Sequence, residues 1–134
     1  ARGWMSLAGA MGGHTVVAKL LTLFGTDEQK QRYLPAMATG ALRATMALTE
    51  PGGGSDLQNM TTSALPDGDD LVINGAKTWI SNARYSGLIA LLAKTDPKAT
   101  PRHSGISVLL VENPIAGLTI SRDLPKLGYK GVES

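Results

Sequence analysis

The chain has 134 residues, the length of one ordinary domain or of parts of two, and 43% hydrophobic against 18% charged residues mark a folded protein rather than a disordered one. Thirteen basic against eleven acidic residues leave a net charge of +2, which gives no basic footprint for nucleic acid. The absence of cysteine removes disulfides, thiolate metal sites and a thiol nucleophile, and it fits a reducing compartment.

The first 40 residues read as helical. Trp4, Leu7, Ala8 and Met11 fall at i, i+3, i+4 and i+7, and Val16, Val17, Leu20, Leu21 and Phe24 continue an apolar face. Gly12-Gly13 is expected to break this run into two pieces. Interruptions at Gly9, Gly12, Gly13, His14 and Lys19 make the stretch from Trp4 to Phe24 read as neither a signal peptide nor a membrane span. Gly25 suits the left-handed position past a helix end. Thr26-Asp27-Glu28-Gln29 then forms a capping box, with two carboxylates at the positive end of the dipole. Tyr33, Leu34 and Met37 form the buried stripe of this second helix, which Pro35 should kink or end early.

From Leu42 the texture changes to short β-like runs. Ala44 to Thr49 is a candidate strand, followed by Pro51-Gly52-Gly53-Gly54, and Thr61 to Leu65 is another, ending at Pro66-Asp67-Gly68. Leu71-Val72-Ile73, Asn74-Gly75 and Ala76 to Ser81 predict a hairpin with a type I′ turn. Leu88 to Thr95, Ile106 to Glu112 and Leu118 to Arg122 complete the set. No helical pattern lies between these runs, which favours an antiparallel barrel or sandwich over a parallel sheet. The expected fold class is therefore α+β, with helices over 1–41 and an antiparallel β-barrel-like domain over 42–134.

Two stretches carry chemistry. In Thr49-Glu50-Pro51-Gly52-Gly53-Gly54-Ser55-Asp56, consecutive glycines let the backbone approach a ligand and point successive N–H groups at one anion, with hydroxyls on Thr49 and Ser55 beside it. It is neither a Walker A loop nor a dinucleotide fingerprint, and the residues alone leave an ordinary surface turn open. In Lys77-Thr78-Trp79-Ile80-Ser81-Asn82, alternation along a strand would put Trp79 and Ser81 on one face, offering a flat apolar wall with a hydroxyl beside it. A plain core Trp is the competing reading. His14 and His103 lack metal-ligand spacing, and Asp67, Asp69 and Asp70 lack that of a calcium loop. Glu50 fits an ion-pair or capping role better than that of a general base, and no Ser-His-Asp arrangement can be argued.

Taken in order, these stretches resemble the acyl-CoA dehydrogenase family. Its Thr-Glu-Pro-Gly, small residue, Gly-Ser-Asp pattern is matched by Thr49 to Asp56, and its Asn-Gly, Lys, Trp-Ile-Thr/Ser-Asn pattern by Asn74-Gly75, Lys77 and Trp79 to Asn82. Gly25 to Lys30, Tyr33-Leu34-Pro35, Thr95-Asp96-Pro97, Gly105-Ile106-Ser107 and Lys126-Leu127-Gly128 extend the likeness. Gly53 stands where many members carry Ala. The resemblance implies FAD as cofactor, held by Met46, Leu48, Thr49, Gly54, Ser55, Trp79, Ile80 and Ser81. Thr49 would bond the polar edge of the ring, Ser55 would lie near the pyrophosphate, Trp79 would pack on the ring and Ser81 would reach its N5 side. Ser55 and Thr95 would touch the acyl-CoA. It further implies a trans-2-enoyl-CoA product, an electron-transfer flavoprotein as acceptor, a homo-oligomer at full length, and a bacterial cytoplasmic or mitochondrial matrix setting. The catalytic glutamate is expected beyond this stretch of chain, so no residue here is assigned as the base and the piece alone is expected to be inactive. A flavin-dependent oxidase on the same scaffold and a non-catalytic flavin or CoA module are the alternatives.

Overall fold

A computed structural model describes residues 4–128 and 131–134. Helix α1 (Met5–Phe24) leads into α2 (Asp27–Ala38), and strands β1 (Ala44–Ala47), β2 (Ser63–Asp67), β3 (Asp70–Asn74), β4 (Leu88–Lys94) and β5 (Ile106–Glu112) follow. The capping box that starts α2 is complete: the Gln29 N–H donates to the Thr26 hydroxyl at 3.2 Å, and the Thr26 N–H donates to Oε1 of Gln29 at 3.0 Å.

Several helical expectations are corrected. α1 runs unbroken through Gly12-Gly13. Tertiary packing overrides the low propensity there: α1 packs against β1, and a Cβ on Gly13 would meet Thr45 only at an ordinary contact distance of 3.4 Å. α2 continues past Pro35 to Ala38, where Met37 is buried at 2% exposure. The left-handed terminator expected at Gly25 is found instead at Gly40, with φ +78°, while Gly25 is extended. The apolar face of α1 is also divided: Val17 and Leu21 are buried, whereas Trp4, Leu7, Met11, Val16 and Phe24 are exposed. By length and composition alone, α1 is long and apolar enough to cross a membrane.

The α+β class holds, with helices leading into a sheet, but among the described residues the sheet is mixed and open rather than a closed antiparallel barrel. β4 is its centre. β5 pairs with it antiparallel from Leu88↔Glu112 to Lys94↔Ile106, and β1 pairs parallel from Ala44↔Leu88 to Ala47↔Leu91. β2 joins the edge that β1 leaves, parallel at Ser63↔Lys94, and carries β3 antiparallel outside it. A parallel β1–β4 pair needs a long crossover. Here the 40-residue connection holds a hairpin and loops instead of the helix that the sequence lacked, which is why the antiparallel expectation failed.

The hairpin also lies one turn earlier than expected. Asp67–Asp70 closes the β2–β3 turn, and Asn74 is the last residue of β3. Gly75, at φ +151°, is no type I′ residue; its missing side chain lets the backbone press on Thr62, since a Cβ would fall 2.4 Å from the Thr62 hydroxyl oxygen. Residues 76–81 form no strand, and neither do 118–122.

The core forms where the helices meet the sheet: Val17, Leu21, Met37, Ala44, Leu88 and Ala90 are buried together, with Tyr33, Leu34, Met46 and Leu110 packed around them. His14 bridges three elements, its Nδ1 accepting from the Ala44 N–H and its Nε2 donating to the Met37 carbonyl, both at 3.2 Å. Arg32 and the Tyr33 hydroxyl both donate to Glu112, at 2.6 and 2.9 Å, tying α2 to the end of β5.

Candidate functional site

The glycine stretch follows β1 directly. Glu50 and Gly53 exchange both backbone hydrogen bonds, at 3.0 and 3.1 Å, so Glu50-Pro51-Gly52-Gly53 closes as a tight turn. The Gly53 N–H is thereby used within the turn and is not among the successive N–H groups expected to face an anion. Gly52 and Gly53 would each admit a Cβ into open space. Gly54 is different: a Cβ there would come 3.1 Å from Cγ2 of Thr49. Glycine at 54 therefore lets the chain fold back over the Thr49 side chain. Ser55 is exposed, and Asp56 caps the following 3-10 helix, Leu57–Asn59, by accepting from the Gln58 N–H at 3.2 Å.

The second stretch is brought to the first by backbone pairing. The Thr78 N–H donates to the Thr49 carbonyl at 2.9 Å, and the Thr45 hydroxyl donates to the Ser81 carbonyl at 2.7 Å. Residues 78–81 therefore run antiparallel alongside β1 without forming a strand. Strand alternation does not apply: Trp79 has φ +59°, a left-handed conformation that costs a bulky residue energy and gathers at functional sites. The residue is 54% exposed. The Ser81 side chain is half-buried, with its hydroxyl 3.1 Å from that of Ser134.

Trp79 and Ile80 line a hollow of about 990 Å³ whose other walls include Ala47, Ile89, Leu91 and Val111 from β1, β4 and β5. Pro51 reaches its lining; Thr49, Gly54 and Ser55 do not. Met46 turns the other way, into the packing against the helices. Leu48 is half-buried and gives its carbonyl to Lys77. Thr95 stands apart: its hydroxyl lies 2.7 Å from that of Ser107 and 3.4 Å from the Gly105 carbonyl, so its hydrogen bonds lead away from the 49–55 loop.

A buried charge pair joins the two stretches, and its pairing was not foreseen from sequence. Lys77 Nζ donates to Glu50 at 2.9 Å and to the Leu48 carbonyl at 3.0 Å, with the two side chains only 8% and 6% exposed. Glu50 also accepts from the Thr61 N–H (2.6 Å), the Thr61 hydroxyl (2.7 Å) and the Thr62 N–H (2.9 Å). Burial pushes the Glu50 carboxyl up, but hydrogen bonds from Thr62, Thr61 and Lys77 outweigh it and hold the acid well below the usual carboxylate range. The ion-pair role expected for Glu50 is thus observed. A signal existed in the sequence, since Glu50 and Lys77 interrupt runs of otherwise apolar and small residues. Among the described residues no three His, Asp or Glu side chains gather as metal ligands.

Comparison with known proteins adds an independent finding. Residues 45–134 match the family model "Acyl-CoA dehydrogenase, middle domain", and residues 1–41 match "Acyl-CoA dehydrogenase, N-terminal domain". The chain is 37% identical over 119 residues to the mitochondrial long-chain specific acyl-CoA dehydrogenase of Sus scrofa, covering 89% of this chain and 28% of that protein. Among solved structures it resembles an acyl-CoA dehydrogenase from Geobacillus kaustophilus at TM-score 0.91 and 45% identity, covering 96% of this chain and 34% of the other. It also resembles the FAD complex of PigA at TM-score 0.84 and 34% identity, covering 91% of this chain and 32% of that one. The chain thus spans roughly three tenths of the length of such relatives.

Proposed function

Since the chain belongs to the acyl-CoA dehydrogenase family, we propose that it forms the flavin-binding part of an enzyme that oxidises an acyl-CoA thioester to its trans-2-enoyl-CoA. In this reading, residues 1–41 close a helical domain and 42–134 make the flavin domain. FAD is the cofactor, an electron-transfer flavoprotein takes the electrons, the full-length protein is a homo-oligomer, and its setting is a bacterial cytoplasm or the mitochondrial matrix.

The observation that carries the proposal is the backbone pairing of Thr78 with Thr49, which brings the segment of the half-exposed Trp79 to the strand end that leads into the glycine turn. These residues suit a flavin: an aromatic wall and an apolar hollow for the ring, with Thr49, outside the lining of the hollow, joined to the Trp79 segment through its carbonyl. When bound, FAD supplies a hydride acceptor for the β-carbon of the substrate. The chain's own residues then have simple work. Trp79 and Ile80 hold the ring and exclude water, Met46 and Leu48 support the strand end, Thr49 and Ser81 orient the ring through hydroxyls, and Gly54-Ser55 lets the loop approach. Ser55 and Thr95 contact the acyl-CoA. Glu50 is unsuited to take the α-proton, because it is buried, ion-paired and surrounded by donors. That proton goes to a glutamate elsewhere in the protein.

Anaerobic mixing of the full-length protein with acyl-CoAs of varied chain length tests the proposal. Bleaching of the oxidised flavin band is expected with at least one class of acyl-CoA. Binding without bleaching would leave only a flavin or CoA module, and fast reoxidation in air would point to an oxidase.

A further inference from the structure

Three segments that are far apart in sequence converge on one buried carboxylate. Glu50 follows Thr49, Thr61-Thr62 lead into β2, and Lys77 lies two residues before Trp79. Lys77 links back to the Leu48 carbonyl as well, so its ammonium spans both sides of Thr49. Gly75 backs onto Thr62 at a distance no side chain would allow, which leaves the approach to Lys77 little freedom. Just beyond this node comes the left-handed Trp79, a conformation that persists only where its surroundings over-determine it. Thr78 is fixed between the two by its bond to Thr49.

We propose that the Glu50–Lys77 pair is a positioning clasp that holds Trp79 in its left-handed backbone conformation beside the segment that carries Thr49, and so sets the flavin environment without touching the flavin. The proposal rests on the flavin reading above for its consequence, though not for its geometry. A buried ion pair can equally be replaced by apolar groups with little loss of stability, whereas removing one partner strands a charge. The two roles of the pair, charge balance and positioning, are therefore separable.

The experiment uses full-length protein labelled with 5-fluorotryptophan, with the Trp79 fluorine resonance assigned by its loss in Trp79→Phe. Lys77→Met and the double variant Glu50→Met/Lys77→Met are compared with the parent for melting temperature, the Trp79 resonance, and flavin content and visible spectrum. We expect Lys77→Met to lower the melting temperature, and the double variant to recover much of that loss. In both, the Trp79 resonance should stay shifted or broadened and flavin affinity should fall by about tenfold or more. If the double variant regains the parent resonance and flavin spectrum together with stability, the pair only balances charge and the proposal is overturned. An unmoved Trp79 resonance in Lys77→Met overturns it too. Should Lys77→Met fail to fold, Glu50→Gln, which keeps the side-chain shape, takes its place: a displaced Trp79 resonance supports the clasp and an unmoved one overturns it. A parent protein that binds no flavin defeats the flavin reading, while the fluorine resonance still decides the clasp.

Discussion

At the scale of single residues, the three consecutive glycines are not equivalent. Gly54 faces Thr49 closely, whereas Gly52 and Gly53 face open space. Gly53→Ala is therefore expected to leave flavin retention unchanged. Gly54→Ala should push Thr49 aside and weaken retention by roughly tenfold, about 1.4 kcal/mol. Equilibrium dialysis of FAD with the two variants checks the contrast, and equal effects would contradict it. Glu50 predicts a pH dependence. Its folded pKa is depressed, so on acidification the unfolded chain takes up the proton first. Its contribution to stability is complete above the ordinary carboxylate pKa of about 4.3 and is lost as pH falls from there toward the lower folded value. Acid-unfolding curves should show this loss in the parent and a flatter acid limb in Glu50→Gln; superimposable curves would contradict it.

Among elements, the junction of α1, α2 and β1 depends on His14, which uses both ring nitrogens on backbone groups of the other two. His14→Ala leaves the Ala44 N–H and the Met37 carbonyl without that partner, at a cost of about 1–3 kcal/mol. Thermal unfolding should reveal it, and an unchanged midpoint would mean that water replaces the ring at no cost. Much of this level was legible beforehand. The Thr26 capping box, β4 and β5 rest on local signals, and local signals decide them. What failed depended on tertiary context. Gly12-Gly13 stays helical within a helix that packs on the sheet, and Asn74-Gly75 is no turn because Gly75 is pressed onto Thr62. Residues 76–81 alternate like a strand but are claimed by contacts to β1 and by the Lys77 pair. The two stretches of the site could be named from sequence. Their contact through Thr78 and Thr49, and the carboxylate beneath it, could not, because local periodicity does not encode a pairing 29 residues apart.

For the whole molecule, the sheet presents two unlike faces. Ala44, Met46, Leu88 and Ala90 pack against the helices, while Ala47, Ile89, Leu91 and Val111 look into the hollow that Trp79 borders. The helices stiffen one side, and the loops after β1 and β3 gather on the site. Gly75 is pressed onto Thr62 in that gathering, so Gly75→Ala should cost more stability than the Gly54 or Gly53 substitutions, about 1–3 kcal/mol or more by overpacking against Thr62. Denaturant titration of the three variants gives the ranking, and a tolerated Gly75→Ala would mean that the β3 exit is looser than described.

The most direct test is a crystal structure of the full-length protein with FAD bound. The isoalloxazine should contact both the Trp79 indole and the Thr49 side chain at about 4 Å or less. A ring bound elsewhere, touching neither of these residues or only one, would contradict the account.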